Sequence, residues 1–213
     1  MAMLKGQDIL LVLKLLSFPD VEGRGHGGGS GFGCGSADGF GFADGSWADP
    51  EAEAPTARRF TPQGLTYAQL GAALGLSPSQ VHDAAKRAMK SGLIDRGLRP
   101  RRRAVSELLV HGVKYFFPAE RGGPARGVPT SYGAEPLSRI IQSDGELPPV
   151  WRFAEGTARG MALEPIYKSA PFAALGDPAL YEYLALIDAI RSGRAREVTI
   201  AIQELECRLE AGQ

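Results

Sequence analysis

Cysteine and histidine are scarce in this chain, and neither sign of charge is in excess. The 213 residues hold two cysteines, Cys34 and Cys207, far apart and in dissimilar contexts. That argues against a disulfide framework and suits a reducing cytoplasm. With His26, His82 and His111 they form no C-x-x-C, H-x-x-x-H or H-E-x-x-H spacing, so no metal site is expected. No serine stands in G-x-S-x-G, neither cysteine has an activating context, and no carboxylate pair is singled out. The expectation is a protein with no catalytic residues and no cofactor, not an enzyme. Long apolar runs are also missing. Residues 9–16 are interrupted by Lys14, preceded by Asp8 and followed by Phe18-Pro19-Asp20, a poor cleavage site. A bilayer span needs about 20 apolar residues, so no membrane association is expected. With 24 basic and 24 acidic residues, overall charge implies no polyanionic partner.

Glycine is abundant, and unevenly placed. Eleven glycines fall between Gly23 and Gly45, within a low-complexity stretch at 19–57 that is costly to order and has little to bury. It is expected to be a disordered insertion between a first helix, residues 5–17, and a second. Gly23-Arg24-Gly25-His26-Gly27-Gly28 satisfies G-x-G-x-x-G in form only, because no strand precedes it and no helix follows. The acidic residues Asp20, Glu22, Asp38, Asp44, Asp49, Glu51 and Glu53 face only Arg24 in this stretch. It reads as a solvated tether or as a weak internal competitor for basic groups elsewhere.

The richest signal lies in residues 65–81. Thr66 is placed to cap one short helix, Gly75 to end it, and Ser77-Pro78 to cap and open the next. A helix, a tight turn and a helix is the arrangement that sets a recognition helix in the major groove. On the second helix, residues 78–91, Val81, Ala84, Ala85 and Ala88 form the inward stripe, with Met89 at its margin. The opposite face carries Ser79, Asp83, Lys86 and Lys90, flanked by Gln80, His82 and Arg87. From Lys86 to Arg103 eight basic residues face one acid, Asp95. Such a cluster repels itself unless a polyanion neutralises it, and each phosphate contact releases counterions. Ser79, Gln80, Asp83, Lys86 and Arg87 are the candidates for base-edge contacts. Lys90, Arg96, Arg99, Arg101, Arg102 and Arg103, late in the helix or just after it, are the candidates for phosphate contacts.

Leu70, Gly75, Leu76, Val81 and the phrase Ser91-Gly92-Leu93-Ile94 resemble the winged helix-turn-helix domains of bacterial transcriptional regulators, in the broad MarR-like group. The resemblance covers residues 65–95 and implies a recognition helix from Pro78 to Lys90, braced by the helix before it. Gly71 departs from the pattern, where Ala is commoner. The wing departs further: the segment from Asp95 to Pro100 is short and runs into a helical pattern. A reduced wing, a basic turn gripping phosphate, is expected.

Downstream, 105–117 reads as a helix with Val105, Leu108, Leu109, Val113 and Phe116 or Phe117 on its apolar face, packed against the recognition domain, with His111 beside that face. Residues 118–149, with Arg121, Arg126 and Arg139, read as extended loop with one short helix near 137–142. Residues 150–153 and 160–163 are read as a small hairpin. Residues 178–191 and 194–210 each carry an apolar stripe, separated by Ser192-Gly193, and form an antiparallel helical hairpin.

The expected fold is therefore mainly α: a winged helix-turn-helix-type domain with a reduced wing at 1–117, an irregular connecting region at 118–177, and a C-terminal helical hairpin at 178–213. The function expected is sequence-specific binding of double-stranded DNA by a cytoplasmic transcriptional regulator, a repressor or autoregulator. It would act as a homodimer on a palindromic site. The alternative is an antitoxin-like or defence-associated interaction module whose C-terminal helices bind another protein and whose DNA binding is autoregulatory. RNA is a weaker alternative, because no aromatic residue is interleaved with the basic cluster.

Overall fold

The computed structural model describes residues 3–18, 64–141 and 145–210. The glycine-rich stretch at 19–57, with its G-x-G-x-x-G, His26 and Cys34, lies outside them. The described chain is mostly helical with one small three-stranded sheet. Among the described residues no helix is long and apolar enough to cross a membrane.

Helix α1, Gly6–Ser17, is buried on nearly every side, because α3 packs against one flank and α8 against another. Its Ile9, Leu10, Leu11, Val12 and Leu13 are all at most 1% exposed, which is why the run lacks a polar stripe. Helix α2 is Tyr67–Leu74 and α3 is Pro78–Lys90. After α3, a single bridge between Ile94 and Pro100, with Arg101 N–H donating to the Leu93 carbonyl, closes a tight turn over the buried Leu98.

The helical stretch that follows runs as α4, Arg102–Glu107, a π-helical turn, Leu108–Gly112, and α5, Val113–Phe116. Val105, Leu109 and Val113 are its buried residues. Two successive steps of four residues drift off one face of an ideal α-helix, and the wider π turn keeps them aligned. The expectation placed this stretch against the N-terminal helices, but its main packing partners are α8 and α9. Phe116 is 67% exposed, Phe117 is half-buried, and His111 is exposed rather than seated beside the core.

The irregular region is a second correction. Arg121–Pro129 is a strand, β1, antiparallel to both β2, Pro149–Arg152, and β3, Ala158–Leu163. The expected hairpin does not form: β2 and β3 each pair with β1, and their mutual pairing, Pro149 with Met161 and Val150 with Ala162, is parallel. Gly127 makes the closure possible, since a Cβ there would sit 1.7 Å from the Trp151 carbonyl oxygen. The short helix α6, Leu137–Ile140, falls near its expected place, and α7, Ala170–Leu175, was not anticipated.

Helix α8, Pro178–Ser192, and α9, Ala195–Glu210, form the C-terminal pair. They are not a separate module. Helix α8 is buried from Tyr183 to Ile190 because α1, α5, α7 and α9 surround it, so the boundary drawn at residue 178 cuts one continuous core. Each fully buried Leu or Ile there contributes about 1.5–3 kcal/mol. Asp188, a buried acid of α8, accepts hydrogen bonds from Trp151 Nε1 at 2.6 Å, Thr130 Oγ1 at 2.9 Å and Arg191 Nη1 at 2.6 Å. Arg191 also donates to the carbonyls of Phe117 and Pro118. This hub ties α8 to β2, to the end of β1 and to the exit of α5.

Candidate nucleic-acid interface

The α2–turn–α3 unit is built by reciprocal caps. Thr66 Oγ1 accepts from Gln69 N–H while Gln69 Oε1 accepts from Thr66 N–H, and Ser77 and Gln80 repeat the exchange at α3. Gly75, at φ 65°, ends α2. The departure at Gly71 has a steric cause: a Cβ there would meet the Leu76 carbonyl oxygen at 2.5 Å, while Leu76 N–H donates to Gly71 O at 2.8 Å. The turn folds back onto α2 too closely for a side chain.

Val81, Ala84, Ala85 and Ala88 are fully buried against α1 and α2, so α3 presents its other side outward. Ser79, Asp83, Lys86 and Lys90 are all exposed and follow one stripe at i, i+4, i+7 and i+11. His82, at the edge, stacks at a tilt on Tyr67 with ring centroids 5.7 Å apart and has its Nδ1 3.7 Å from Asp83. Beyond α3, Arg96, Arg99 and Arg101 are exposed, and Arg103, 94% exposed, makes a surface ion pair with Glu107 at 3.3 Å. The turn is held by Asp95, whose carboxylate accepts the Arg99 N–H at 2.9 Å, leaving the Arg99 guanidinium outside.

Three of the expected contact residues are turned to the protein. Arg87 forms a two-pronged ion pair with Asp8, Nε at 2.8 Å and Nη2 at 2.7 Å, and Asp8 is wholly buried. The Asp8 hydrogen bonds hold the Arg87 guanidinium above its ordinary pKa, against the opposing effect of burial. Arg87 is therefore a strut between α1 and α3 rather than a base contact. Arg102 is half-buried and reaches the C-terminal helices, with Nη1 3.3 Å from the Leu209 carbonyl. Gln80 is half-buried, with its side-chain oxygen engaged in the α3 cap.

The residue that sequence reasoning missed is Asp8. It reads as a charge at the edge of an apolar run, and only the packing of α1 on α3 makes it the partner of Arg87. Comparison of the chain with models of protein families, with curated proteins and with solved structures finds no match in any of the three.

Proposed function

We propose that this protein binds double-stranded DNA sequence-specifically and regulates transcription, through a helix-turn-helix unit whose wing is reduced to the turn at Ile94–Pro100. The observation that carries the reading is the exposed stripe Ser79, Asp83, Lys86 and Lys90 on a helix whose opposite face is locked by alanines. Exposed Arg96, Arg99, Arg101 and Arg103 follow it within one turn and the start of α4. Ser79, Asp83 and Lys86 carry base-edge hydrogen-bonding groups, while Lys90 and the four arginines are suited to phosphates. Gln80, Arg87 and Arg102 act by holding this surface in place. In this reading the protein works in the cytoplasm as a homodimer on a palindromic site.

Binding-site selection from random duplex DNA tests the proposal directly. Enrichment of one sequence is expected. Lys90→Ala with Arg101→Ala is expected to weaken binding to every sequence and flatten its salt dependence, whereas Ser79→Ala is expected to change the preferred sequence. Failure to enrich any sequence, together with salt-independent binding, would overturn it.

The alternative of a protein partner on the C-terminal helices finds less support. Helix α8 is already covered by its own chain, and the outward side of α9 carries Arg196, Thr199, Gln203, Glu206 and Glu210.

A further inference from the structure

The sheet carries a second cationic site, distant in sequence from the first. Arg126 on β1 and Arg159 on β3 are direct cross-strand partners in an antiparallel pair, so their side chains share a face. Both are exposed, and neither makes an ion pair among the described residues. Two like charges placed opposite each other destabilise a sheet unless something neutralises them. They flank a cleft of about 620 Å³ whose other walls are Pro124, Ala125, Leu147 and Gly160, so among the described residues the ionisable groups lining it are the two guanidiniums. Arg126 is oriented in advance, because its Nε donates to the Gly156 carbonyl at 2.5 Å and leaves the outer nitrogens without a partner among the described residues. Glu146 is held by Arg194 at 2.9 Å, and Glu155 lines a different cleft, with Lys14.

We propose that this cleft binds a phosphate-bearing ligand, gripped between Arg126 and Arg159. Planar guanidiniums match phosphate oxygens in pairs, and a cleft of this volume is of small-molecule size. The site does not depend on the DNA-binding reading of α3.

The test titrates inorganic pyrophosphate into the full chain at low salt, followed by calorimetry. The wild type binds, and Arg159→Gln weakens binding by about tenfold, with a further loss when Arg126→Gln is added. The Arg159 side chain makes no hydrogen bond or ion pair among the described residues and stands opposite a like charge, so Arg159→Gln does not lower the melting temperature of the unliganded protein. A wild type that does not bind pyrophosphate, or an Arg159→Gln variant that binds it equally well, overturns the proposal. Competition in a Lys86→Ala, Lys90→Ala background then identifies the source of the phosphates. Displacement by random duplex DNA assigns them to a nucleic-acid backbone, and displacement by ATP but not by duplex assigns them to a free phosphorylated compound. Displacement by neither overturns the proposal.

Discussion

Helices α3 and α8 begin alike, each with a proline in its first turn behind a capping side chain, Ser77 for α3 and Asp177 for α8. They then diverge. Among the described residues helix α3 packs on α1 and α2 along one side, so its small residues there are buried and Asp83, Lys86 and Lys90 are exposed. Helix α8 is ringed by neighbours, so even its buried acid, Asp188, has to find partners inside. The same residue type accordingly does different work in the two places. Arg191, its side chain 3% exposed, completes the Asp188 hub, while Lys86 and Lys90 are exposed and have no ion-pair partner among the described residues. Arg87 lies between the two cases: it belongs to α3 but behaves like a residue of the core.

The contrast can be broken most forcefully at the hub. Asp188→Ala would leave the Arg191 charge without its counter-ion and the Trp151 and Thr130 donors buried without their acceptor, and a loss of about 3–5 kcal/mol is expected in urea unfolding. Arg87→Ala comes next. It strands the buried Asp8 carboxylate, and a loss of about 3 kcal/mol is expected, with DNA affinity changing equally for specific and random sequence. If Arg87→Ala instead altered sequence preference without destabilising the fold, Arg87 would return to the recognition surface.

A smaller effect is expected at the start of α8. Asp177 accepts from Lys14 at 2.6 Å, from Ser17 at 2.6 Å and from the Leu180 N–H at 3.1 Å. Burial pushes its carboxyl up, but these hydrogen bonds outweigh burial and hold it below the usual carboxylate range. A depressed carboxylate stabilises fully above its unfolded pKa of about 4 and loses that contribution as pH falls through the folded value. Asp177→Asn should cost about 1 kcal/mol at neutral pH and lose less than the wild type on acidification below about pH 5. Unfolding curves at two pH values check this. The smallest effect on stability belongs to Lys86→Ala with Lys90→Ala, expected within about 0.5 kcal/mol of wild type. The same pair should lower the slope of log affinity against log salt by about 2.

Much of the α3 side was legible because its determinants are local. The caps at Thr66 and Ser77 act across three residues, and the Val81, Ala84, Ala85, Ala88 stripe repeats with the helix itself. The α8 and α9 boundaries were visible for the same reason. Strand β1 was hidden, because Gly122, Gly123, Pro124, Gly127 and Pro129 read as a loop, and its pairing depends on residues far along the chain. The Arg126 and Arg159 pair was hidden with it, since no spacing in the sequence connects them.

Sequence alone was enough for the helices at both ends of the described chain, the short turn after α3 and the position of the basic cluster, since each follows from periodicity or from groups a few residues apart. Tertiary packing decided which of those charges remain free. Lys86 and Arg87 are neighbours in the chain, but a helix turns about 100° between them, and only Arg87 meets Asp8, 79 residues away. Whether a cation is available to a ligand depends on what the rest of the fold brings beside it.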